Sequence, residues 1–289
     1  MKRRQSTLIF LAASAVTLTP AWATYMNVTD CPYCQTFDTL AQSATATWRN
    51  DMTGAIGWFI QSAASNLSGN GSGLTYTAST GTSSAVGIYS FGNSSDRTLG
   101  AITGANAVAF GNLLRNNTAS AITSLTISYT GEQWRSASTS PQSILFSYAV
   151  AAGTVGTFYD VDGIGAKAYL SPTVTSGSDA SGDNKGLTWN SVSAGTFTSP
   201  NLTGGGVAVT ASTSISFTLT GLNVPAGGAI MLRWLDAANN TDGLGIDNVC
   251  VSIPAAAPVP EASTYAAIAA VVGMAGASAI RRKKKSANA

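Results

Sequence analysis

The residues best suited to covalent chemistry sit near the start of the chain, where Cys31-Pro32-Tyr33-Cys34 places two thiols at the spacing of a redox dithiol. In such a pair a thiolate of lowered pKa attacks a disulfide and the second Cys resolves the mixed intermediate. That chemistry needs a βαβ setting in which the first Cys caps a helix. Residues 24–36 lead instead into a body rich in strand patterns. In an oxidising compartment the expectation is a structural disulfide, either Cys31 with Cys34 or one of them with Cys250, the third Cys of the chain. One thiol is then left over.

Acids form the next set. The chain has no His, which removes Ser-His-Asp and Cys-His catalysis, the His-ligated zinc hydrolases and His acid–base work. Glu132 is the one Glu before residue 261 and lies in Thr130-Gly131-Glu132-Gln133-Trp134-Arg135. Paired with Asp236 or Asp247 it could serve a two-carboxylate glycosidase. The favoured reading is structural: an ion pair with Arg135 or Arg233 that fixes a strand end. No catalytic residue is assigned, and the protein is read as a non-enzyme. Asp236, Asp242 and Asp247, with Asn239 and Asn240 between them, supply the hard oxygen donors that Ca²⁺ prefers. A structural Ca²⁺ is the one cofactor they suggest, set against the ordinary use of Asp, Asn and Gly in a tight turn. Trp134 and Trp189 lie near strand ends and are the candidate rings for stacking on a sugar, whereas Trp234 is in phase with Ile230 and Leu232 and belongs to the core.

The elements that would position these residues read as strands. Leu125, Ile127 and Tyr129 alternate with Thr126, Ser128 and Thr130; Ile215, Phe217 and Leu219 alternate with Ser216, Thr218 and Thr220. Ile144, Phe146 and Tyr148, then Ile230, Leu232 and Trp234, then Val249, Val251 and Ile253 repeat the period of two. Gly- and Asn-rich clusters separate the runs, and residues 39–47 alone leave a helix open, with extended or irregular backbone as the equal alternative. The expected fold is all-β: a two-sheet antiparallel β-sandwich, jelly-roll-like, over 37–253. Residues 24–259 carry seven basic and twelve acidic side chains, a net charge of about −5, and no basic patch that would suit nucleic acid.

Both ends carry targeting patterns. Lys2, Arg3 and Arg4, an apolar run to Leu18, and Ala21-Trp22-Ala23 read as a signal peptide over 1–23, cleaved after Ala23. Residues 24–36 form an N-terminal segment, and 254–261 a Pro/Ala linker that holds Pro260 and Glu261. Ala262 to Ile280 is an uncharged stretch long enough for a transmembrane helix, and Arg281, Arg282 and three Lys open a basic tail over 281–289 that should stay cytoplasmic.

The stretch from Val259 to Lys285 resembles the bacterial PEP-CTERM sorting signal, with Ala262 where the second Pro of that motif usually stands. The resemblance implies export, transient anchoring in the inner membrane, cleavage by an exosortase near Pro260 and Glu261, and a final address at the cell surface or in an extracellular matrix with exopolysaccharide. The segments 37–59, 89–100, 116–135 and 230–252 together are similar to an exported β-sandwich domain that recurs in such proteins. In that domain the last segment tends to carry two more acids, where this chain has Thr241 and Asn248. The expected function is that of a non-enzymatic envelope or matrix protein associated with polysaccharide, the alternative being a carbohydrate-binding module. The expected partners are exosortase, the secretion machinery and a polysaccharide.

Overall fold

Alternating apolar side chains favour extended backbone with one face buried, and strands dominate the described residues. The structure is a computed structural model that describes residues 25–49, 54–63, 74–151, 159–162, 165–171, 177–178 and 187–254. The strands are β1 (Met26–Asn27), β2 (Tyr33–Gln35), β3 (Thr45–Trp48), β4 (Trp58–Ser62), β5 (Leu74–Ser79), β6 (Gly87–Phe91), β7 (Thr98–Ile102), β8 (Val108–Arg115) and β9 (Ile122–Ser136). They continue as β10 (Ser143–Ala151), β11 (Tyr159–Asp162), β12 (Gly165–Ala168), β13 (Gly177–Ser178), β14 (Thr188–Ser191), β15 (Phe197–Thr198), β16 (Val207–Val224), β17 (Ala229–Asp236) and β18 (Gly243–Ser252).

Two large sheets result, with β11 and β12 as a separate hairpin. The first runs β1-β8-β17-β10-β14-β13, with β4 on β8 and β15 on β10; the second runs β16-β9-β18-β7-β6-β5-β3, with β2 on β18. Pairing is antiparallel except for β1 with β8 and β5 with β6. This is the expected all-β sandwich. Residues 39–47, the one stretch that left a helix open, take the extended or irregular alternative: turns and bends over 39–44 that lead into β3. Among the described residues no helix is long and apolar enough to cross a membrane. The signal-peptide segment 1–23, the linker from 255 and the segments 262–280 and 281–289 lie outside the described residues.

The main core lies between the sheets and takes the residues that the period of two selects: Leu125, Ile127 and Tyr129 from β9, Phe217 and Leu219 from β16, and Ile230, Leu232 and Trp234 from β17. Trp234 anchors it, stacked on Trp58 at 5.4 Å and edge-on to Phe146 at 5.1 Å. The first sheet is also buried on its other face. Ala109 and Leu113 of β8 and Met231 and Leu235 of β17 point away from the main core and pack with Tyr169, Leu170 and Trp189. Gly111 permits that cover, because a Cβ there would come within 2.4 Å of Leu170 Cδ2. Among the described residues the second sheet has a small outer cluster, Tyr89, Phe91, Ile102 and Trp134.

Candidate functional site

Register decides the fate of the dithiol. β2 lies antiparallel on β18 with Cys34 directly opposite Cys250, and these two form the disulfide across a sequence separation of 216. Cys31 keeps a free thiol, half-buried and packed against the core. Burial is the main influence that pushes its pKa up, with Asp30 adding to it, the reverse of what an attacking thiol needs. The alternative of a Cys31–Cys34 bridge is thereby replaced by the long-range pairing.

The three candidate calcium ligands are split between two places. Asp242 accepts from Ala137 N at 2.7 Å, Ser138 N at 2.9 Å and Gln133 Nε2 at 3.0 Å, so its carboxylate staples the turn after β9. Asp236, at the end of β17, receives Asn240 Nδ2 at 2.6 Å on one oxygen while the other lacks a partner. Full burial holds its pKa well above the carboxylate range. Asp247 sits on β18 opposite Thr130. It is buried, Oδ1 has no partner, and Oδ2 accepts from Asn248 Nδ2 at 2.7 Å. Desolvation first, then the charges of Glu132, Asp96 and Asp38, push its pKa to about 8. Among the described residues no three His, Cys, Asp or Glu side chains converge on a point that could hold a metal, so Asp236, Asp242 and Asp247 do not fit the Ca²⁺ that their spacing suggests.

Glu132 also departs from expectation. Its Oε2 accepts from Trp134 Nε1 at 2.8 Å and from the Thr98 hydroxyl. Arg233 belongs to the other sheet and is fully buried. It donates to Ser147 Oγ at 2.8 Å and to the carbonyls of Leu170 and Ser171, both at 2.9 Å. The strand end is fixed by a Glu–Trp–Thr cluster, with Arg233 committed elsewhere.

Neither candidate sugar-stacking ring offers a free face. Trp189 is 2% exposed, with the Arg233 guanidinium 3.9 Å from its ring centre. Trp134 is 7% exposed, stacked on Phe91, which stacks in turn on Tyr89. The loop over this trio is held by Tyr89, whose hydroxyl meets Ser83 Oγ at 2.7 Å and donates to Ala85 O at 2.6 Å. Gly81 lets the loop close: its φ is +88°, and a Cβ would fall 1.8 Å from Trp134 O.

What the fold does expose is the outer face of β16 and, in part, that of β9 and of the end of β18, where Cys250 and Ser252 are half-exposed while Gly245 and Asp247 are buried. Thr218, Thr126 and Ser252 lie in one row across the three strands; Ser216, Ser128 and Cys250 in the next; Ser214, Thr130 and Asp247 in the third; Ser212, Glu132 and Gly245 in the last. The β16 members are exposed, and the Thr and Ser of β9 are half-exposed. Adjacent hydroxyls are within bonding reach, as with Thr126 and Thr218 at 3.0 Å. The result is a hydroxyl-bearing face without a basic residue, closed at one end by two carboxylates and the Tyr89–Phe91–Trp134 stack. The Ser/Thr alternation that marks it is plain in the sequence, but such residues also fill any solvent face and do not by themselves distinguish a site.

No protein-family model and no curated protein matches the sequence. Among solved structures the chain is similar to the enzymatically active domain of tailspike protein 4 of bacteriophage CBA120, at 7% identity and a TM-score of 0.30, covering 68% of this chain and 19% of that one. It is also similar to the tandem CBM22 domains of Paenibacillus barcinonensis Xyn10C, at 10% identity and a TM-score of 0.32 over 80% of this chain and 47% of that one. A third is the family 11 carbohydrate-binding module from Clostridium thermocellum, solved with a mixed-linked tetrasaccharide, at 11% identity and a TM-score of 0.28 over 73% and 97%. The chain thus spans less than half the length of the first two. At such scores the likeness carries no argument about a site. Ala23, Pro260, Glu261, Arg281 and Arg282, the candidate processing residues, lie outside the described residues.

Proposed function

We propose that this protein is an exported binding module of the cell envelope that holds a neutral polysaccharide on the outer face of β9 and β16. The observation that carries this reading is the grid of Ser and Thr hydroxyls on β9 and β16, bounded at one end by Glu132 and Asp247, in a body whose other sheet is covered. Hydroxyls donate and accept, so they match the hydroxyls of a glycan chain, and bridging water extends their reach. A negative body without a basic patch disfavours acidic polymers. Export, and release from the membrane by an exosortase near Pro260 and Glu261, complete the proposal and rest on the sorting-signal resemblance.

The test is retention of the protein on the polysaccharide of its own cell surface, wild type against the triple variant Thr126→Val, Thr130→Val and Thr218→Val. Each change keeps the β-branched shape and removes one hydroxyl. Binding weakened about tenfold, or ~1.4 kcal/mol, at unchanged melting temperature supports the face. Equal retention of the two proteins, or no retention of the wild type on any surface glycan, overturns it. The intact mass of the protein recovered from the surface tests the processing half separately: a mass running to Ala289 rules out cleavage.

A further inference from the structure

We propose that two copies of this chain associate by pairing their β16 strands edge to edge, joining the second sheets of both molecules into one. Among the described residues β16 is the outermost strand of that sheet and pairs only with β9. It runs 18 residues, whereas β3 at the opposite edge has four and β1 and β13 at the ends of the first sheet have two each. Exposed edges are ordinarily blunted by charged residues, Pro, bulges or brevity. Val207–Val224 contains no Asp, Glu, Lys, Arg or Pro. Register shifts occur only towards its ends, between Ala208 and Ala211 and between Thr220 and Val224. The stretch from Ala211 to Thr220 is left regular, with one row of main-chain groups turned outward.

Identity of the partner follows from how this stretch fits itself. In an antiparallel pair related by a two-fold axis through Ser216, Ser214 of one copy faces Thr218 of the other on the outer side, and Ile215 faces Phe217 on the core side. Both pairs match in polarity. Ile215, half-buried in the single chain, gains an aromatic neighbour, while hydroxyl meets hydroxyl outside. The absence of charge removes the like-charge repulsion that identical strands otherwise meet, and it also leaves nothing to steer a foreign strand in preference to the same one. An isologous contact of this kind consumes the edge, so assembly stops at two.

Sedimentation of the full chain over a concentration series tests this, together with hydrogen exchange at the amides of 211–220. The expected result is a reversible monomer–dimer equilibrium in which those amides gain protection as concentration rises. Replacing Ser214, Ser216 and Thr218 by Lys, all on the exposed face, weakens association at least tenfold without lowering the monomer's melting temperature. Mixing that protein with the corresponding triple Glu variant restores a mixed dimer. A chain that stays monomeric, a dimer indifferent to the Lys changes, assembly beyond two, or protection of those amides independent of concentration would each overturn the proposal. The last would mean that another segment of the same chain covers the edge.

Discussion

Cys34 and Cys250 stand directly opposite each other on β2 and β18, and their disulfide closes almost the entire sandwich into one covalent loop. A cross-link over so long a loop restricts the unfolded chain and stabilises the fold by roughly 2–4 kcal/mol. Cys250→Ala is therefore expected to lose that amount in chemical denaturation. Cys31 adds a second readout on the intact protein, since its half-buried, raised-pKa thiol should be alkylated more slowly at neutral pH than a free cysteine and faster after unfolding. Rapid alkylation of two native thiols would overturn the assignment.

Asp247 predicts how stability depends on pH. Its carboxyl titrates near 8 in the folded protein against 3.8 as the unperturbed value, so the native state holds a proton that the unfolded state has already released. The contribution is fully present below about pH 4 and is lost as pH rises towards 8. The melting temperature of the wild type should fall across this interval, and Asp247→Asn should flatten the fall. Parallel curves for the two proteins would show that Asp247 ionises normally.

Trp189 is expected to behave as a core residue. With its ring against the Arg233 guanidinium and Leu170 nearby in the same cluster, Trp189→Ala should destabilise by about 3–5 kcal/mol. Glycan retention, measured where the variant remains folded, should not change. Retention lost at full stability would return this ring to the list of ligand contacts.

Much of the sandwich is legible in the sequence because one face of a strand meets core and the other water. This holds for β9 and β16, whose alternation reads directly. It fails for β17. Arg233 stands at an outward position by alternation, yet the segment around Leu170 covers that face and takes the guanidinium as a hydrogen-bond donor to its carbonyls. The site is less legible for a related reason. Asp236, Asp242 and Asp247 are close in sequence, but Asp236 and Asp247 belong to strands of different sheets, and Asp242, near enough to Asp236 to help raise its pKa, spends its carboxylate on the turn after β9. The partner of Cys34 depends on the register of β2 on β18, which no local pattern records.

The bridge between β2 and β18 also sets the path of mechanical load. Tension between a point ahead of Cys34 and a point beyond Cys250 passes through the sulfur–sulfur bond, and the 216-residue separation hangs outside the line of force. Pulling the two ends of the chain apart would then load that link before the strands of the closed loop, the hydroxyl-bearing β9 and β16 among them.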